Sequence, residues 1–125
     1  MTYSPSVSCQ FTYTSSQLVT YRDPNLKNWT FGYSSSKLSS FTDPLSHGVT
    51  VSYPSSSRTQ VQTSLGNSWS YDYSVAGLVS RITDPFGYQT DLSYNNDSTL
   101  TSVTNAKGQK TSYAWDSRYL SLIHI

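Results

Sequence analysis

The side chains able to do acid–base, nucleophilic or metal chemistry are few and scattered. His47 stands beside Gly48 in a turn-like setting, His124 lies in an atypical C-terminal run, and Cys9 is the single cysteine. All seven acids are aspartates. Catalysis needs a nucleophile, a base and an orienting group, or metal ligands at workable spacing, and no such grouping is visible along the chain. Asp23, Asp43 and Asp84 each precede a proline, a placement that opens turns and does not resemble a paired-carboxylate site or a calcium loop. The expectation is a non-enzyme with no catalytic residue, no cofactor and no metal. The chemistry that remains is contact chemistry. The chain holds 3 Trp, 11 Tyr and 4 Phe, and aromatic faces suit the apolar faces of sugar rings, which makes Trp29 and Trp69 candidate glycan contacts.

The elements that must carry these rings recur with a fixed period. Tyr13, Tyr33, Tyr53, Tyr73 and Tyr94 fall at spacings of 20, 20, 20 and 21, and Trp115 follows 21 residues later. Ten residues ahead of four of these aromatics stand Asp23-Pro24, Asp43-Pro44, Asp84-Pro85 and the reduced Asn105-Ala106. Self-similarity of this kind marks a supersecondary unit that is stacked because one copy cannot bury its own apolar face. The composition is poor in helix formers and rich in Ser, Thr and Tyr, so the unit is built from strands.

The best-preserved unit runs from Gly77 to Asn95 and centres on Asp84-Pro85-Phe86-Gly87. Asp in first place accepts local backbone hydrogen bonds, Pro presets the second position and Gly fits the fourth, which predicts a turn between two strands. Gly66 and Gly108 occupy the fourth position in two other units, whereas the first two turns keep Asp-Pro and end in Leu26 and Ser46. The outgoing strand alternates strictly. Cys9, Trp29, Val49, Trp69, Thr90 and Thr111 form one column, Phe11, Phe31, Val51, Tyr71, Leu92 and Tyr113 the next, and the Tyr13 to Trp115 series the third. The columns between them hold no large apolar residue. Period-two alternation of this kind describes half-buried strands with an aromatic ladder on one face and Ser/Thr on the other. The incoming strand repeats Leu18 and Tyr21, Leu38 and Phe41, Val79 and Ile82, Leu100 and Val103 at a spacing of three.

The Gly77–Asn95 and Leu100–Asp116 stretches resemble the YD repeat of the rearrangement-hotspot (RHS) family, whose pattern is roughly G-x-L-x-x-V-T-D-P-x-G-x-x-T-x-Y-x-Y-D. The resemblance covers residues 18–116 as five units, about 18–37, 38–57, 58–77, 78–97 and 98–116, after a partial unit at 1–17. The closing Tyr-Asp pair survives as Trp115-Asp116 and, displaced, as Tyr71-Asp72. The resemblance implies an all-β fold of tandem hairpins in an extended, twisted antiparallel sheet that forms part of a hollow shell. A β-solenoid is the structural alternative. It further implies a secreted or cell-surface parent whose wall contacts neighbouring repeats and encloses a C-terminal toxin or other cargo. The functional alternative is a surface adhesin segment that binds carbohydrate or protein.

Other partners are not expected. The net charge is +1, and Arg22, Lys27, Lys37, Arg58, Arg81, Lys107, Lys110 and Arg118 are dispersed along the chain, so nothing suggests a nucleic-acid surface. No run approaches the apolar length of a membrane span, and Met1-Thr2-Tyr3-Ser4-Pro5 lacks the regions of a signal peptide. Residues 117–125 form a tail. Its last six, Leu120-Ser121-Leu122-Ile123-His124-Ile125, look like the translated end of a transposase sequencing adapter, so they are set aside as a scar on a fragment of a longer protein.

Overall fold

A computed structural model describes residues 8–116 and the backbone of residues 121–124. The chain is all-β: β1 (Gln10–Thr14), β2 (Gln17–Arg22), β3 (Asn28–Ser34), β4 (Lys37–Thr42), β5 (Gly48–Ser55), β6 (Arg58–Thr63), β7 (Ser68–Tyr73), β8 (Val79–Thr83), β9 (Gln89–Tyr94), β10 (Leu100–Thr104), β11 (Lys110–Trp115) and β12 (Ser121–His124). No helix occurs among the described residues.

Two compact units divide the strands. In the first, β1 to β5 follow one another as antiparallel neighbours, and residues 62–66 join through a Ser64 N–H to Gly48 carbonyl bond of 2.8 Å. In the second, residues 53–61 flank β7 through a Tyr73 N–H to Ser57 carbonyl bond of 2.8 Å, and β7 to β12 follow in chain order, again antiparallel. A coil of parallel strands would pair the other way. The pairing of β12 with β11 is a backbone pairing, and an open strand edge accepts such an addition with little regard to sequence.

Two kinds of turn join the strands. Ser15-Ser16 and Ser35-Ser36 are two-residue hairpin loops with φ of 48° and 65°, and 49° and 66°. Two consecutive left-handed residues make the turn whose twist matches that of the strands, a position where Asn-Gly is the favoured pair. The second kind is a four-residue cassette. In Asp84-Pro85-Phe86-Gly87 the Gly87 N–H donates to the Asp84 carbonyl at 3.0 Å, and Asp84 Oδ1 accepts from the N–H groups of Phe86 and Tyr88, both at 2.9 Å. Asp43 does the same with Leu45 and His47 at 2.9 and 2.8 Å, and Asn105 with Lys107 and Gln109. The fourth residue is always left-handed: Gly87 at 85°, Gly108 at 79° and Gly66 at 86°, but also Leu26 at 63° and Ser46 at 66°. Where Gly is absent, the chain adopts the same conformation at a steric cost of about 1–2 kcal/mol.

The spacing of three in the incoming strands has a structural cause. Thr12 pairs with Thr20 but Tyr13 with Leu18, leaving Val19 as an extra residue, and Ser39, Ser80 and Thr101 are extra in the same way. Each is a β-bulge, which shifts the alternation by one. Leu18 and Tyr21 therefore share a face although they stand three positions apart, because their partners Tyr13 and Phe11 are two apart.

In three units the closing aromatic reaches this bulge, whereas the Tyr73 hydroxyl donates to Thr59 Oγ1 at 3.2 Å. The Tyr33 hydroxyl donates to the Leu18 carbonyl at 2.9 Å, Tyr94 to Val79 at 2.7 Å, and the indole N–H of Trp115 to Leu100 at 2.5 Å. Each acceptor precedes the bulged residue, where the ladder is locally interrupted and a backbone group needs another partner. Trp115 can stand in the tyrosine column because it too carries a donor at the tip of a ring.

Candidate functional site

The two faces of the sheets differ sharply. In the first unit, Phe11, Tyr21 and Trp29 are directly opposed on β1, β2 and β3, with ring centroids 5.1 Å apart at each step and planes tilted by 33° and 34°. Phe31 and Phe41 continue on β3 and β4 at 5.3 Å. These are tilted cross-strand aromatic pairs, each contributing about 0.2–1 kcal/mol. Trp29 thus belongs to the ladder and is half-buried in it. Trp69 occupies the corresponding column on β7 of the second unit and is also half-buried. Among the described residues no apolar side chain is buried, and the only buried residue is Ser102. Phe11 and Tyr13 remain 55% and 61% exposed. A sheet with one apolar face ordinarily buries it against a second layer.

On the opposite face the second unit carries a charge ladder that linear spacing concealed. Arg58 holds Asp72 through Nε and Nη2 at 2.5 and 3.1 Å, and Arg81 holds Asp91 through the same fork at the same distances. Asp72 lies directly across from Arg81, and Arg81 across from Asp91. Two of the dispersed arginines are therefore brought together, but each faces carboxylates, so the result is a neutral ladder and not a basic patch. The Arg81 hydrogen bond, with its charge, holds the Asp91 carboxyl below the usual range against a smaller opposing effect of burial. Arg58, Arg81 and Asp91 are substantially hydrated and Asp72 less so, and surface pairs of this kind contribute little to stability. The sequence signal was present: Asp72 and Asp91 stand in the polar columns, and Arg81 is the residue that faces both.

His47 has a partner that the sequence did not announce. Its Nδ1 lies 3.0 Å from Asp43 Oδ2 within the same turn, while the histidine side chain is 68% exposed. Partial burial pushes the Asp43 carboxyl up, but the His47 and Leu45 N–H groups and the His47 ring outweigh it and leave the acid below its ordinary value. The pair fastens the turn. Cys9, expected on a strand, precedes β1; its Sγ lies 3.5 Å from the Tyr21 hydroxyl, whose pKa that contact raises, with desolvation as the next cause. Among the described residues no group of three His, Cys or acidic side chains is arranged to hold a metal.

The expected turn residues Asp23, Pro24, Asp43, Pro44, Asp84, Pro85, Gly66, Gly87 and Gly108 all lie in the four-residue cassettes. Sequence reasoning missed two further copies of the cassette at the opposite hairpin ends. Ser74 to Gly77 and Asn95 to Ser98 close with the same bond from the fourth N–H to the first carbonyl, at 2.9 and 3.1 Å. Asn95 Oδ1 even takes the N–H groups of Asp97 and Thr99, as Asp84 does in its own turn. These longer turns replace the Ser-Ser loops and account for the step from a spacing of 20 to 21 after Tyr73.

No protein-family model matches the chain, and no curated protein matches it.

Proposed function

We propose that the chain is a non-catalytic wall segment of a YD-repeat protein of the RHS type, secreted or displayed at a cell surface, whose β-shell encloses a C-terminal toxin or other cargo. The observation that carries this reading is that within each unit antiparallel neighbours form a layer with one aromatic face, and no apolar side chain is buried among the described residues. Such a layer is unfinished as an independent globule, but suits a wall whose neighbouring repeats and contents complete it. The recurring bulge, the ring donor that reaches it in three units and the capped turn supply a local unit suited to repetition.

Sequencing the intact gene past Arg118 tests the proposal. Further Asp-Pro turns with tyrosines at the same period, running into an unrelated C-terminal domain that resists proteolysis only in the intact parent, are the expected result. A wall-sorting or membrane segment directly after the repeats would favour the adhesin reading. The half-exposed stripe around Trp29 supports that second reading, which requires saturable glycan binding lost on Trp29→Ala or Trp69→Ala without unfolding.

A further inference from the structure

The second unit has a cleft of about 410 Å³ lined by Tyr88, Thr90, Asn105, Ala106, Lys107 and Gln109. Its existence follows from the repeat. Thr90 and Thr111 stand in the column that holds Trp29 and Trp69 elsewhere, so at β9 a small side chain replaces a ring. Tyr88, at the end of the Asp84 turn, stands at one side of the cleft and is 63% exposed. The Asn105 turn forms the other side. There Asn105 Nδ2 donates to Gln109 Oε1 at 2.8 Å, a bond that orients the Gln109 amide and leaves both hydrogens of its Nε2 available. Lys107 lies at the tip of this turn, and its ammonium has no partner among the described residues.

We infer that this cleft binds a carboxylate-bearing sugar ring, as in a uronic acid residue of an acidic polysaccharide. An exposed tyrosine ring offers the stacking face, the Gln109 amide and the Thr90 and Tyr88 hydroxyls match sugar hydroxyls, and the Lys107 ammonium matches the carboxylate. The volume lies within the usual range for small-molecule sites. The site is independent of the wall reading, since the face of a wall can carry it, and it does not use Trp29 or Trp69.

Saturation-transfer NMR and calorimetric titration of the full chain with tri-galacturonate provide the test, with the fully methyl-esterified trimer as the uncharged control. The expected result is saturable millimolar binding that weakens in high salt and is weaker for the ester. Lys107→Met should weaken binding about fivefold and Tyr88→Ala about tenfold, both with unchanged circular dichroism because the side chains are exposed. Trp29→Ala and Trp69→Ala should leave it unchanged. Absence of saturable binding, equal binding of the ester, or loss of binding in the tryptophan variants but not in the Tyr88 and Lys107 variants would overturn the inference.

Discussion

Replacing Ser35-Ser36 by Asn-Gly should stabilise the protein. Both serines are left-handed, at φ of 49° and 66°, and a β-carbon in that region costs about 1–2 kcal/mol per residue. Gly at position 36 removes the clash but adds about 0.5–1 kcal/mol of unfolded-chain freedom, while Asn at 35 tolerates the conformation through its short polar side chain. The net gain is about 1 kcal/mol. With a urea dependence of about 1.5 kcal/mol per molar, the unfolding midpoint should rise by roughly 0.5–1 M, read by far-UV circular dichroism and by tryptophan fluorescence. Gly87→Ala supplies the converse. Gly87 sits at φ 85° and an added β-carbon would meet nothing within 4 Å, so any loss reports torsional strain alone, with an expected fall of similar size. An unchanged or lowered midpoint for the Asn-Gly variant, or a tolerated Gly87→Ala, would refute the assignment of strain to these turns.

Tyr94→Phe removes the donor that reaches the Val79 carbonyl at 2.7 Å; a loss of about 1 kcal/mol in urea unfolding is expected, and no loss would mean that the bulge carbonyl is satisfied by water. Asp84→Ala frees the two N–H groups that Oδ1 accepts and should destabilise by about 1–2 kcal/mol, with Asp84→Asn recovering most of it because Asn105 caps in the same way. Asp91 and Asp43 have folded pKa values below their ordinary ones, so their contribution is present above about pH 4 and is lost as pH falls through the folded values. Stability should fall as pH drops below about 4, with a shallower fall in Asp91→Asn. The circular dichroism spectrum should show strand and turn, and a helical spectrum would contradict the strand assignment.

Strand content, the turns marked by Asp-Pro or Gly and the face of the outgoing-strand rings were legible along the chain, because these follow from local rules: Asp-Pro-x-Gly sets a turn, and strict alternation sets a face. The sequence also displayed, without explaining, the spacing of three between Leu18 and Tyr21. That number becomes intelligible only when Val19 is seen as a bulge and the Tyr33 hydroxyl as the partner of the Leu18 carbonyl, since both depend on which residues oppose each other on neighbouring strands. The same holds for Arg58, Asp72, Arg81 and Asp91, scattered over 34 positions but aligned across neighbouring strands, and for the cleft between Tyr88 and Lys107, formed by two turns that antiparallel pairing places side by side. Register, not composition, decides which charges meet and where a ring gives way to a threonine. Only the tertiary structure could set these, because the period of a repeat fixes what recurs along the chain while hydrogen-bonded pairing fixes what lies across it.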